Sequence, residues 1–178
     1  VKIPIWAAGG FGDGRRLAAA LALGAEGINL GTRFCATLEA PTHPNFKDAI
    51  VAGDERSTDT VFRSYPNSAR TSHNAVSQEI LSIEEEGRFF EDLAHLAKGQ
   101  RPLGGLNNGD IDHGLWKTGL VRGLIYDIPN VGDLVSRIVR DAENMLIERM
   151  SAMVTRSSHW LGGATPMYMR PDLYDCMG

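Results

Sequence analysis

With 178 residues, 43% hydrophobic and 22% charged, the chain is long enough to build one sizeable core. A net charge of −4 with scattered basic residues offers no nucleic-acid surface. No apolar run reaches the length of a membrane span, and the first residues lack a signal-peptide layout. The two cysteines, Cys35 and Cys176, lie far apart without metal-ligand spacing, so neither a disulfide framework nor a metal site is expected. The expected setting is reducing and cytoplasmic.

Ile3 to Ala8 is a nearly continuous apolar run, as in a parallel strand covered on both faces. Gly9, Gly10 and Gly12 break it, and Asp13 suits a helix N-cap. Leu17, Ala18, Leu21 and Ala22 recur at helical spacing over Arg15 to Leu23, and Gly24 stands where a C-cap glycine belongs. Gly27 to Leu30 reads as a second strand, which completes a right-handed β–α–β unit. Cys35 to Val51 reads as a short helical region interrupted by Pro41 and Pro44. Gly53 to Thr60 reads as a polar loop and Val61 to Ser64 as a brief strand. Helices are predicted over Ala75 to Glu86, Glu91 to Lys98 and Leu115 to Tyr126, with a Gly/Pro/Asn-rich loop over Arg101 to Gly109. The strongest helical pattern runs from Leu134 to Met153, with Val135, Ile138, Val139, Ala142, Met145, Leu146 and Met150 on one apolar face. Thr155 to Gly178 shows no period.

Nothing after Leu30 reads as several more parallel strands, and two parallel strands cannot cover both faces of a sheet. The expectation is therefore a chain that begins, at Val1, inside a larger α/β fold. The remaining strands would come from sequence outside it or from another chain; a small three-layer domain is the alternative. Three regions follow: 1–52 with the strand–helix units, 53–154 mainly helical, and 155–178 as an irregular tail.

Each strand ends in residues small enough to bare main-chain amides. Gly9 and Gly10 after the first, with Gly31 and Thr32 after the second, can hold a phosphate by N–H groups. In a (β/α)8 barrel, phosphate commonly sits in the loops after the last two strands. The Thr32 hydroxyl can add a donor. Arg33 can add charge, or turn outward to an acidic partner.

Ile5-Trp6-Ala7-Ala8-Gly9-Gly10-Phe11-Gly12-Asp13-Gly14-Arg15, Ala18 to Ala25 and Gly31-Thr32-Arg33-Phe34 resemble the C-terminal barrel half of the nitronate monooxygenases. The likeness continues through Glu39-Ala40, His43, Lys47, Asn67 to Arg70, Gly109-Asp110, Gly114, Gly119 and Gly123 to Ile125. It implies an α/β fold, the last two strand–helix units of a TIM barrel followed by a mainly helical C-terminal region. It also implies FMN as cofactor, its phosphate held by Gly9, Gly10, Gly31 and Thr32. The expected activity of the intact enzyme is oxidation of alkyl nitronates with molecular oxygen, on a small-molecule substrate and without nucleic acid or membrane. A homo-oligomer is a further expectation. The family's catalytic histidine lies on an earlier strand–loop unit, and none of the five histidines here occupies its motif. No catalytic residue is therefore assigned, and the 178 residues are expected to be inactive alone. Where many relatives carry glutamine near Gly119, this chain has Leu120.

The same superfamily resemblance leaves two flavin alternatives open, an enoyl-ACP reductase and an NADH:quinone reductase. A phosphate-binding barrel without flavin and a non-catalytic truncated module are the others. Elsewhere the residues read as structural. His43 suits a hydrogen-bonding role, while His73, His95 and His113 suit the surface. Asp110 and Asp112 suit a turn and cap rather than a calcium loop. Cys35 lacks an adjacent base and suits a small buried residue.

Overall fold

The computed structural model describes residues 2–87, Leu93, Leu96 and residues 108–153. Strand β1 (Trp6–Ala8) pairs in parallel with β2 (Gly27–Asn29), joined by helix α1 (Gly14–Ala22). The register sets Trp6 opposite Gly27, and a Cβ on Gly27 would meet the Trp6 ring at 2.4 Å. Glycine there lets the indole lie across the neighbouring strand. Asp13 caps α1 by accepting the Arg16 N–H at 2.9 Å, as its residue type predicts.

Within the described residues β1 is open, as expected where the remaining strands are supplied from outside this sequence. Ile3, Ile5 and Trp6 are 70%, 46% and 65% exposed. The cause is the sheet itself: among the described residues, β1 has β2 as its sole strand neighbour. Leu21 of the predicted α1 face is also partly exposed; Gly14, Ala18 and Ala20 are the buried positions.

After β2 the chain turns at once into a short helix α2 (Thr32–Cys35), then α3 (Pro44–Ala52). Pro44 starts α3 rather than interrupting a helix, because a first-turn proline lacks only an N–H that would be unpaired anyway. The predicted loop and strand between residues 53 and 64 need correction. Strand β3 (Thr58–Val61) begins inside the predicted loop and pairs antiparallel with an unforeseen β4 (Ala69–Ser72). Their polar side chains are paired across the ladder and from the helix that follows: Arg70 donates to Thr58 Oγ1, and Ser77 and Gln78 donate to Asp59. At Phe62 the backbone turns left-handed (φ 59°), which stops β3.

Helix α4 (Ala75–Glu85) is closed at its start by a capping box between Asn74 and Ser77. Leu93 and Leu96 are helical and buried against Val61, Val76 and Ile80; the rest of the predicted 91–98 helix and residues 101–107 lie outside the described residues. The helix predicted over Leu115 to Tyr126 is not formed. Residues 116–118 run along β4, with Ser72 N–H donating to Trp116 C=O and Thr118 N–H to Arg70 C=O. A 3-10 turn, Leu120–Leu124, follows.

The last helix starts earlier than predicted, at α5 (Val131–Asn144), because Asn130 caps it and Glu39 accepts the Val131 N–H. It passes through a π-helical stretch, Met145–Arg149, into a final turn, Met150–Met153. Leu134, Ile138 and Ala142 are its buried positions, whereas Val135 and Val139 are 42% and 43% exposed. The buried stripe packs on α1 at Gly14, where a Cβ would stand 2.6 Å from the Ile138 carbonyl oxygen. Residues 155–178 lie outside the described residues. Two apolar clusters result: one of Phe46, Ile50, Trp116, Val121 and Ile125, the other of Val61, Val76, Ile80, Leu93 and Leu96.

Candidate functional site

The parallel register ends with Ala8 beside Asn29. The turns that follow, Gly9–Gly10 and Gly31–Thr32, therefore leave the sheet at one edge, on strands about 4.8 Å apart. Gly9 and Gly10 have φ of +93° and +79°, a backbone that side chains disfavour. A Cβ built on Gly9 or Gly31 would meet nothing within 4 Å, and one on Gly10 would meet only the Arg16 guanidinium at 3.9 Å. The missing side chains leave the main chain of both turns as an open cradle.

Thr32 Oγ1 accepts the Gly119 N–H at 2.9 Å. Its own O–H remains able to donate. The same bond clasps the 3-10 turn to the cradle and brings Leu120 to the wall of an open groove of about 570 Å3, which Gly9, Gly10, Ile5 and Phe11 also line. Leu120 is 48% exposed there.

Of the two orientations open to Arg33, the structure takes the acidic partner. Its side chain is 1% exposed and donates to Asp127, through Oδ1 at 2.8 Å and through the carbonyl at 3.1 Å. Arg137 completes the cluster on the same carboxylate at 2.6 Å. Burial lowers the Arg33 pKa, opposed by the Asp127 charge, while the hydrogen bond from Arg137 foremost holds the Asp127 carboxyl below its ordinary range.

The guanidinium beside the first glycine turn belongs to Arg16, which no motif of the sequence singles out. Half-buried on the first turn of α1, it donates through Nη1 to the Gly10 carbonyl and lines the groove beside Gly9. A signal for it exists in the sequence. Helical side chains lean toward the N-terminus, so a residue just after Asp13 reaches back over the glycine turn.

The remaining candidates take structural places. His43 caps α3, its Nδ1 accepting the Asn45 N–H, and packs against Gly109. His73 and His113 are exposed beside Asp59 and Asp110. Asp110 accepts the N–H groups of Asp112 and His113, a turn rather than a ligand set. Burial raises the Cys35 thiol pKa, which disfavours the thiolate. Among the described residues no group of His, Cys, Asp and Glu can hold a metal ion, and no helix is long and apolar enough to cross a membrane. His95 and His159 lie outside the described residues.

A family model described as nitronate monooxygenase matches residues 1–141. An octahydroindene-carboxyl-CoA dehydrogenase of Rhodococcus jostii is 31% identical over 86% of this chain and 52% of its own length. A probable nitronate monooxygenase of Bacillus subtilis is 28% identical over 79% of this chain and 40% of its own. The solved structure of FabK from Thermotoga maritima superposes with a TM-score of 0.79 at 31% identity, over 86% of this chain and 48% of that one. The chain thus spans about half the length of the relatives it matches. Its fold is α/β, the C-terminal portion of a (β/α)8 barrel with its last two strand–helix units, followed by a mainly helical region that also holds the β3–β4 hairpin.

Proposed function

The chain belongs to the nitronate monooxygenase family, and from that premise we propose that it forms the FMN-phosphate grip of a flavin-dependent oxidoreductase that oxidises alkyl nitronates with molecular oxygen. The observation that carries the reading is the pair of parallel strands whose glycine-ended turns open at one edge, where a Cβ on Gly9 or Gly31 would meet nothing within 4 Å and one on Gly10 only the Arg16 guanidinium. When bound, FMN supplies the electron-accepting, oxygen-reactive ring. The residues of this chain bind and orient. Main-chain N–H groups at Gly9, Gly10, Gly31 and Thr32 would hold the phosphate, and the Thr32 O–H, whose oxygen accepts the Gly119 N–H, would add a donor. Leu120 adds an apolar wall beside the grip. No acid–base step is assigned to these residues, so the 178 residues alone are inactive.

The test has two arms. The protein that contains this chain should purify with flavin absorbance, release FMN on denaturation and consume oxygen with an alkyl nitronate. The 178 residues expressed alone should not turn over, and flavin-dependent nitronate oxidation by them would overturn that part. A flavin-dependent reductase is the second reading, favoured by the likeness to the Rhodococcus dehydrogenase and to FabK. Bleaching of bound flavin by NADH or NADPH, with no turnover of nitronate, would select it.

A further inference from the structure

Three arginines follow the two glycine turns in sequence, Arg15, Arg16 and Arg33, and two of them are paired with carboxylates. Arg15 is exposed and paired with Asp13 at 3.1 Å; Arg33 is buried on Asp127. Arg16 has no carboxylate partner among the described residues, and its guanidinium lies against the glycine turn, donating to the Gly10 carbonyl. Asp13, the nearest acid on its own element, is occupied by the Arg15 guanidinium and the Arg16 main-chain N–H.

The geometry of one peptide unit gives this contact a consequence. Among the described residues no peptide bond is cis, and in a trans unit the C=O and the next N–H point in opposite directions. A guanidinium that holds the Gly10 carbonyl therefore turns the Phe11 N–H away from itself. The unit is flanked by a glycine of positive φ, which has little intrinsic preference to keep it in one orientation. The guanidinium also has further N–H donors and a permanent charge, and a bidentate fork matches phosphate oxygens.

We propose that Arg16 is a positioning and charge-supplying residue of the anion cradle: it fixes the Gly10–Phe11 peptide through the Gly10 carbonyl and, among the described residues, provides a positive charge beside Gly9 and Gly10 that no carboxylate compensates. The inference rests on the phosphate-grip reading above and gives it an electrostatic component that glycine amides alone lack.

FMN and riboflavin, which differ in the phosphate alone, separate the possibilities. Both are titrated into the protein that contains this chain, unsubstituted and as Arg16→Ala, Arg16→Gln and Arg16→Lys, with quenching of flavin fluorescence as readout and thermal melting as the control for folding. Arg16→Ala should weaken FMN about tenfold and riboflavin less than about twofold, as expected for one charge-assisted contact. Arg16→Lys should recover part of the FMN affinity. Arg16→Gln, which keeps a donor for the Gly10 carbonyl but no charge, should fall between Lys and Ala and covers the case in which the alanine variant does not fold. Unchanged FMN affinity in Arg16→Gln, or equal losses for FMN and riboflavin, would overturn the role of Arg16 and leave the grip standing. An unsubstituted protein that binds FMN no more tightly than riboflavin would overturn the grip, and this inference with it.

Discussion

In the β1–α1–β2 unit, Ile3, Trp6 and Leu23 are 70%, 65% and 89% exposed, whereas Phe46, Ile50, Trp116, Val121 and Ile125 are each 6% exposed or less. The first region carries the cradle, yet it closes no core of its own among the described residues. The second closes tightly around an edge-on Phe46–Trp116 pair with ring centroids 5.0 Å apart. It even takes in a charge: Arg122 is 6% exposed, lies 5.5 Å from the Trp116 ring centroid, and donates to Ser57 C=O, Ser72 Oγ and Ala49 C=O. The contrast separates two uses of sequence. The first region is marked by missing side chains at its turns, and the second by large ones in its core.

That division predicts its largest effect at Arg122. Truncation to alanine removes a buried side chain and its hydrogen bonds to Ser57, Ser72 and Ala49, leaving the Ser57 and Ala49 carbonyls with only their main-chain donors, the His73 and Gly53 N–H groups. A loss of about 3 kcal/mol in chemical denaturation is expected, combining the unmade hydrogen bonds with the cavity. A loss below about 1 kcal/mol would erase the contrast, since the second region would then not depend on its buried charge.

The Arg33–Asp127–Arg137 cluster joins the two regions and gives a smaller, pH-dependent effect. Hydrogen bonding from Arg137, then the charges of Arg137 and Arg33, keep the folded Asp127 pKa below its ordinary value. A carboxylate with a lowered folded pKa adds stability above its unfolded pKa of about 3.9, and that stability is lost as pH falls through the folded value. Asp127→Asn should therefore lower stability near neutral pH and flatten the acid limb below about pH 4. Because the Asp127 side chain is 44% exposed, solvent screening limits the loss to about 1 kcal/mol or less. Denaturant midpoints measured from neutral pH to the acid limb check this, and parallel acid limbs for the two proteins would place the acid sensitivity elsewhere.

The same contrast explains what the sequence disclosed. The first region was legible because its signals are local: Asp13 caps, Gly9 and Gly10 break a strand, and Gly27 reopens one. The second was not, because β4 is Ala-Arg-Thr-Ser, a polar run whose Thr71 and Ser72 are 0% and 4% exposed. Its burial comes from residues 116–118, more than forty positions away, which no periodicity encodes. The predicted 115–126 helix fails for a similar reason, since the backbone there bonds to β4 and to Thr32. Arg16 and Arg33 differ by the same logic. Sequence proximity to the second glycine turn favoured Arg33, whereas helix direction gives the cradle Arg16.

The smallest stability effect is expected where the functional effect is distinct, at Gly31. Its φ of −100° is open to any residue, and a Cβ there would meet nothing within 4 Å. Gly31→Ala should therefore change stability by less than about 0.5 kcal/mol, as for a surface position without strain. The added methyl would nonetheless stand where a ligand approaches the Gly31 and Thr32 amides. Losing one such contact to a charged group should weaken FMN about tenfold, read by fluorescence titration beside a denaturation curve. A protein that loses stability and keeps its affinity would reverse the assignment and make Gly31 a packing glycine like Gly14. Unchanged stability with weakened FMN would establish that this region keeps its glycines for what lies outside the chain.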